Sequence, residues 1–185
     1  MSWLGELTVE TRCGDLFETE AEGIVVNTNV GARLKAYALG EQLFDRCAPA
    51  LLEEIDRAML RQPGQELRVG HAITVGAHGL EGVEKVVLVA WWGRHNRFTR
   101  NHCYKAVIAA LRQAFEHELA SLAVPLMGTG SRQMRLADLE GAITDVLHDL
   151  DDLRDADTFS LQRLELVSVR QRDIDSLEQH LRRQL

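Results

Sequence analysis

The clearest candidate for chemistry in this sequence is a glycine-flanked loop, Gly128-Thr129-Gly130-Ser131. An apolar run at residues 122–126 precedes it and a helical pattern follows, which is the order of a buried strand, a tight loop and a helix. Glycine permits positive φ and lets the backbone approach a ligand closely. Successive amides in such a loop, with the next helix N-terminus, can bind an anion. The loop predicts a phosphate-bearing, nucleotide-like ligand, with an ordinary strand-to-helix turn as the alternative.

Three other stretches carry polar or aromatic residues just after a predicted strand. They are Gly14-Asp15-Leu16, Asn27-Thr28-Asn29 and Trp91-Trp92-Gly93-Arg94. Because ligands of open α/β sheets bind beyond the carboxyl ends of the strands, we expect these stretches to converge with the glycine loop. An Asp carboxylate can accept hydrogen bonds from an exocyclic amine or a ribose hydroxyl. Asn side chains can both donate to and accept from sugar hydroxyls.

Each of these residues also has a purely structural interpretation. Asp15 after Gly14 can begin a turn, and Asn27 and Asn29 can hydrogen-bond neighbouring loop backbone. Trp91 and Trp92 fall on opposite faces of a strand end, so at least one should belong to the core. The sequence leaves both interpretations open.

Strand and helix patterns alternate along the chain, and this alternation predicts the fold. Residues 86–90 form a continuous apolar run, typical of a central strand covered on both faces. Pro49 suits the first turn of a helix, Thr99 or Asn101 suits a helix cap, and Asp173 or Asp175 should begin the last helix. We predict an α/β protein with three α/β/α layers and a mixed, mostly parallel central sheet. One domain should span residues 1–185.

Composition narrows the classes of function. The 185 residues carry a net charge of −7, which argues against general nucleic-acid binding. No apolar run is long enough for a membrane span, and no export signal is present at the N-terminus. The three cysteines show no disulfide or zinc spacing, so we expect a reduced, cytoplasmic protein. His71, His95 and His102 lack ligand-like spacing, so we predict no metal and no cofactor.

One segment departs from the acidic balance of the chain. No acidic residue occurs from Lys85 to Phe115, and within this stretch the segment from Arg94 to Lys105 carries Arg94, Arg97 and Arg100 with Phe98 and Tyr104 interleaved. This basic segment could bind a protein partner, or it could be a solvated face balanced by acidic neighbours.

Five segments, taken in order along the chain, resemble those of a macro domain. They are Gly14-Asp15-Leu16, Ile24 to Asn29, Pro49 to Glu54, Gly70 to Thr74 and Ala123 to Gly130. That family binds ADP-ribose and related nucleotides, and some members hydrolyse ADP-ribose esters. The resemblance covers roughly residues 7 to 170. It implies that Asp15 contacts the adenine amine beside the Leu16 backbone, and that Asn27 and Asn29 approach the distal ribose. Gly128, Thr129, Gly130 and Ser131 would enclose the pyrophosphate.

The sequence also departs from the family pattern. The usual Asn-Ala-Ala-Asn core is one residue shorter here, at Asn27-Thr28-Asn29, and the first glycine-rich loop is replaced by residues 36–40. The acid of hydrolytic members falls on Gly40 or Glu41, and Arg132 replaces a common aromatic. We therefore expect a divergent recognition module that binds without hydrolysis. The alternatives are an interaction scaffold with a degenerate pocket and an ADP-ribosyl hydrolase.

Overall fold

A computed structural model describes residues 2–4, 7–92, 99–128, 134–152 and 160–184. The strands are β1 (Ser2–Leu4), β2 (Leu7–Cys13), β3 (Gly23–Asn29), β4 (His71–Gly76), β5 (Lys85–Trp92), β6 (Ser121–Pro125) and β7 (Arg163–Ser168). The helices are α1 (Ala38–Arg46), α2 (Pro49–Leu60), α3 (Arg100–Glu116), α4 (Leu136–Asp152) and α5 (Gln171–Gln184). Short 3-10 turns occupy Leu16–Glu18, Leu34–Ala36 and Pro63–Gln65. No helix among these residues is long and apolar enough to cross a membrane.

The seven strands form one sheet in the order β1-β2-β7-β6-β3-β5-β4. The pairs β2–β7, β7–β6, β6–β3 and β3–β5 are parallel, whereas β1 and β4 pair antiparallel at the two edges. Helices cover both faces, so the predicted three-layer α/β/α fold with a mixed, mostly parallel sheet is confirmed. Helical crossovers supply the long connections that parallel neighbours require.

The period-two alternation of the central strands divides the core between the two faces. Val25 in β3 belongs to the cluster beneath α3, α4 and α5, whereas Ile24 and Val26 belong to the cluster beneath α1 and α2. In β5, Val87 and Leu88 divide in the same way. Because both faces of these strands are buried, their sequences are apolar runs without alternation, as predicted for residues 86–90.

Several boundaries differ from the sequence expectations. Thr28 and Asn29 lie inside β3 rather than in a loop, because they continue the parallel ladder with β5 through a register shift. The last helix begins at Gln171, ahead of Asp173 and Asp175. The pattern at residues 34–43 is a 3-10 turn followed by α1, separated at the extended residue Tyr37. Pro49 at the first turn of α2 and the Thr99 cap of α3 are confirmed.

Candidate functional site

The candidate site lies at one edge of the sheet, where five parallel strands end. The carboxyl ends of β2, β7, β6, β3 and β5 share this edge. The chain continues to opposite sides of the sheet from β3 and β6, which are neighbours, so the strand order reverses between them. Such a switch point is where open α/β sheets form a ligand crevice. The fold therefore brings the carboxyl ends of β2, β3, β5 and β6 to one edge.

Asp15 and Leu16 belong to residues 13–18, which begin at the last residue of β2 and are hereafter called the Asp15 loop. Asp15 Oδ1 accepts from the Phe17 N–H at 3.0 Å and caps the short turn Leu16–Glu18. Asp15 Oδ2 accepts from Arg46 Nη2 at 2.7 Å, and the Arg46 guanidinium lies 4.8 Å from the centre of the Phe17 ring. The carboxylate therefore has two intrachain partners. It begins a turn, as the structural interpretation of Asp15 required.

The backbone groups of the Asp15 loop differ in whether they have hydrogen-bond partners. The Asp15 carbonyl accepts from the Glu18 N–H and from Arg12 Nη2, both at 3.1 Å. The Leu16 side chain is buried. The backbone N–H of Leu16 donates a hydrogen bond to no atom in the described part of the chain. A partly exposed carboxylate and an adjacent free N–H are an acceptor and a donor that a nucleobase edge could use together.

Asn27 and Asn29 lie two residues apart at the end of β3, where the register with β5 shifts between Thr28 and Asn29. Asn27 is 8% exposed. Asn29 Oδ1 accepts from the Gly31 N–H at 3.0 Å and from the Arg33 N–H at 3.1 Å. The Asn29 side-chain oxygen thus holds the start of the segment 30–37, hereafter the β3 loop.

The β3 loop and the first turn of α1 occupy the region of the missing glycine-rich loop. Tyr37, the N-cap residue of α1, makes no side-chain cap to the helix. Among the described residues, the amides of Ala38, Leu39 and Gly40 find no acceptor, and the first helical bond runs from the Glu41 N–H to the Tyr37 carbonyl at 2.8 Å. Free amides at a helix N-terminus favour an anion.

Gly40 packs directly against the β3 loop. A Cβ at Gly40 would lie 2.1 Å from the Leu34 carbonyl oxygen, so no side chain fits at this position. Glu41, the next residue, is exposed. The position where the family pattern could place an acid is therefore filled by a backbone contact.

The glycine loop after β6 is described only at its first residue. Gly128 has φ +88°, which fulfils the expectation of positive φ, and a Cβ there would lie 3.0 Å from Met134 Cβ. Trp91 packs against Gly128 from the end of β5 and is buried, so one of the two tryptophans is in the core. Thr129, Gly130, Ser131 and Arg132 lie outside the described residues.

The basic segment is also only partly described. Arg94 and Arg97 lie outside the described residues. Arg100, at the start of α3, donates through Nε and Nη2 to Asp145 at 2.9 and 2.6 Å, and through Nη2 to the Gly141 carbonyl at 3.1 Å. Arg100 therefore joins α3 to α4, and its charge is compensated within the chain.

Cys103 and possible metal ligands are two further places to look for chemistry in the described part of the chain. Cys103 is fully buried, and burial raises the pKa of its thiol to about 12. A thiol with this pKa is not a nucleophile at neutral pH. No group of three or more His, Cys, Asp or Glu residues there could hold a metal ion.

Sequence reasoning missed three residues around the Asp15 loop: Arg12, Arg46 and Glu165. Glu165 is 6% exposed and pairs with Arg12 Nε at 2.8 Å. The available signal was a carboxylate in a strand that must be buried on both faces, since such a charge requires a partner. A cavity of about 370 Å³ lies beside this pair, between β2 and α5, and is lined by Thr11, Glu178 and Arg182 among others.

A sheet in this order, with helices on both faces, defines a three-layer α/β/α protein. A sequence model of the Macro domain family matches residues 26–143, more than half of the chain. The chain belongs to the macro domain family.

Solved structures agree with this assignment at the level of the fold. A mutant macrodomain from Oceanobacillus iheyensis superposes with a TM-score of 0.82 at 17% identity, covering 98% of this chain and 95% of that one. The macrodomain of the same organism with ADP gives 0.76 at 19% identity, with coverages of 98% and 94%. A Trypanosoma brucei macrodomain in complex with ADP gives 0.70 at 14% identity, with coverages of 94% and 67%. No curated protein is similar enough in sequence to count as a match.

Proposed function

We propose that this protein is a recognition module that binds ADP-ribose or a related nucleotide and does not hydrolyse it. The observation that carries the proposal lies just after β2, where the acceptor group of the Asp15 carboxylate is followed by the Leu16 N–H, a donor with no partner among the described residues. An adenine edge presents an amine donor beside a ring-nitrogen acceptor, which complements this pair. Macrodomains of similar fold have been solved with ADPR and with ADP.

The phosphates would lie between the two loops that flank the switch point. On one side are the free amides of the first turn of α1, and on the other is Gly128 with Thr129, Gly130 and Ser131 after it. The α1 amides supply donors even though residues 36–40 stand in place of the usual glycine-rich loop. Asn27 and Asn29 would approach the distal ribose. Asn29 does so with its side-chain nitrogen, because its oxygen is bonded within the β3 loop.

The packing of Gly40 supports binding without turnover. General acid–base catalysis needs a carboxylate within hydrogen-bond reach of the reacting water. Position 40 admits no side chain, and Glu41 is exposed on the next residue of the helix. If the protein is a hydrolase, Glu41 would have to serve, and Glu41→Gln would abolish turnover.

Calorimetry with ADP-ribose, NAD and AMP tests the proposal. We expect saturable binding of ADP-ribose, lost in Gly128→Glu, where a carboxylate would enter the phosphate region. Glu81→Gln, at an exposed turn before β5, is a control that should bind normally. Incubation of the protein with ADP-ribosylated protein should release no free ADP-ribose. Release that depends on Glu41 would contradict the non-hydrolytic proposal.

One observation favours a second candidate, an interaction scaffold with a degenerate pocket. Asp15 and Asn29 already have intrachain partners, as they would in a pocket that no longer binds a ligand. In that case no nucleotide would produce heat. Partner capture would instead depend on the basic segment with Arg94, Arg97 and Arg100, and charge reversal at Arg97 would abolish it. Because Arg100 is tied to Asp145, reversal at Arg100 would also disturb α3–α4 packing.

A further inference from the structure

We propose that Arg12 and Glu165 are positioning residues for nucleobase recognition, holding the Asp15 loop so that the Asp15 carboxylate and the Leu16 N–H face the ligand together. The inference rests on the proposed function. It concerns two residues that are distant in sequence from each other and are assigned no contact with the ligand.

The first step is the clamp formed by Glu165. This buried carboxylate accepts from Arg12 Nε at 2.8 Å and from Thr19 Oγ1 at 2.5 Å. Arg12 and Thr19 are the residues that flank the Asp15 loop, so a single side chain on β7 fixes both ends of the loop. A carboxylate as deeply buried as Glu165 requires such partners, and charge-assisted bonds are the stronger ones.

The second step is the orientation of the loop backbone. Arg12 Nη2 donates to the Asp15 carbonyl at 3.1 Å. The guanidinium reaches it by folding over Gly14, where a Cβ would lie 2.5 Å from Arg12 Nη1. Since the carbonyl is turned toward Arg12, the next amide, the Leu16 N–H, is turned away from it. The Asp15 carboxylate caps the turn that begins at Leu16, so the carboxylate and the Leu16 N–H both belong to the N-terminal end of this turn.

The third step is that the planar guanidinium of Arg12 is needed to contact both acceptors at once. Its Nε contacts Glu165 while its Nη2 contacts the Asp15 carbonyl, and a guanidinium offers these donors in a rigid plane. A Lys at this position keeps the charge opposite Glu165 but has no planar fork to bridge both acceptors. Arg12→Lys should therefore loosen the loop without leaving the buried carboxylate uncompensated.

The experiment compares two ligands and three variants by calorimetry. ADP-ribose and inosine diphosphate ribose differ at the purine, where an oxygen replaces the exocyclic amine. The variants are Arg12→Lys, the double variant Arg12→Leu with Glu165→Leu, and the control Arg163→Lys. The double variant removes both charges and keeps an apolar side chain at each position. Arg163 is a matched control because its Nη2 donates to the Glu20 carbonyl at 2.9 Å, further along the same connection.

Wild type should prefer ADP-ribose at least about tenfold, and both Arg12 variants should lose about tenfold in ADP-ribose affinity, since small misplacement of a site is costly. Their affinity for the inosine ligand should change less than about twofold. Arg163→Lys should retain the preference. The inference would be overturned if both Arg12 variants kept the wild-type preference for ADP-ribose, or if they bound both ligands equally more weakly. It would also be overturned if wild type showed no preference between the ligands. If wild type bound neither ligand, the proposed function itself would fail.

Discussion

The Asp15 loop and the β3 loop lie at the same edge of the sheet, but different contacts hold them. The Asp15 loop depends on charged side chains, with Arg12 and Glu165 beneath it. The β3 loop depends on an uncharged side chain and on backbone geometry: Asn29 Oδ1 accepts from two amides, Ala32 has φ 51°, and Gly40 admits the Leu34 carbonyl. The difference indicates that the two halves of the proposed site respond to different perturbations, the first to loss of charge and the second to added volume.

The largest effect is expected for Arg12→Ala, which leaves the Glu165 carboxylate buried without its cation. Removing one partner of a buried ion pair should lower the free energy of unfolding by about 3 kcal/mol, measured by urea denaturation. The matched control is Arg46→Ala, because Arg46 pairs with Asp15 at a more exposed position. We expect a loss below about 1 kcal/mol there. Equal losses in the two variants would remove the distinction between a buried anchor and a surface one.

Gly40→Ala tests the volume dependence of the β3 loop. Alanine is the better helix former by about 1 kcal/mol, so an open site would be stabilised. Because the added Cβ would lie 2.1 Å from the Leu34 carbonyl oxygen, we expect a net loss of about 2 kcal/mol, the cost of overpacking. Glu41→Ala, on the exposed side of the same turn, should change the free energy of unfolding by less than about 0.5 kcal/mol. A stabilised Gly40→Ala variant would show that the loop moves freely away from α1.

Replacing Ala32 by glycine separates strain from packing in the β3 loop. A left-handed non-glycine residue costs about 1 kcal/mol, and glycine relieves this strain. The Ala32 methyl is buried, however, and losing it costs about 0.8 kcal/mol. The two terms nearly cancel, so the free energy of unfolding should change by less than about 0.5 kcal/mol.

Glu118 is the matched control for Ala32, because it has φ 53° and is exposed at the end of α3. Glu118→Gly relieves the same strain without losing buried surface, and we expect a gain of about 1 kcal/mol in chemical denaturation. If both glycine variants gained equally, the methyl of Ala32 would contribute nothing to the packing of the loop.

The sequence predicted those features of the fold that depend on residues close together in the chain. The apolar run at 86–90, the helix at Pro49 and the positive φ of Gly128 all follow from local residue types. The Arg12–Glu165 pair could not be predicted, because its partners are 153 residues apart and meet only once β2 pairs with β7. Gly40 was noted for a missing acid, whereas the structure shows that it admits the carbonyl of Leu34. The length of β3 was underestimated because Thr28 and Asn29 have loop-like side chains and are held in the strand by β5.

A third turn lies where β4 ends, on the side of the sheet opposite the carboxyl ends of the parallel strands. It is held by an exposed pair of side chains, His78 and Glu54, and extends the comparison. His78 follows β4 with φ 37°, and its Nε2 lies 2.5 Å from Glu54 Oε2, which also accepts from the Gly76 N–H at 3.1 Å. Partial burial alone would raise the pKa of Glu54. The hydrogen bonds from His78 and Gly76 and the charges of His78 and Lys85 outweigh burial, so the pKa is lowered from 4.5.

The sign of this shift sets the pH dependence. A carboxylate whose pKa is lower in the folded state stabilises the protein above its unfolded pKa, and the stabilisation is lost as pH falls through the folded value. Because the Glu54 side chain is about one-third exposed, we expect wild type to exceed Glu54→Gln in free energy of unfolding by less than about 1 kcal/mol near pH 5.5.

Urea denaturation between about pH 3 and pH 5.5 should show the difference between wild type and Glu54→Gln shrinking once the pH falls below 4.5, the ordinary value for Glu. Glu53→Gln, on the exposed face of the same helix, removes one carboxylate without touching the turn and should give a smaller difference across this range. A Glu54 difference that stays constant down to pH 3 would mean that the carboxylate does not hold the turn through its charge. This turn would then be fixed by its backbone, like the β3 loop.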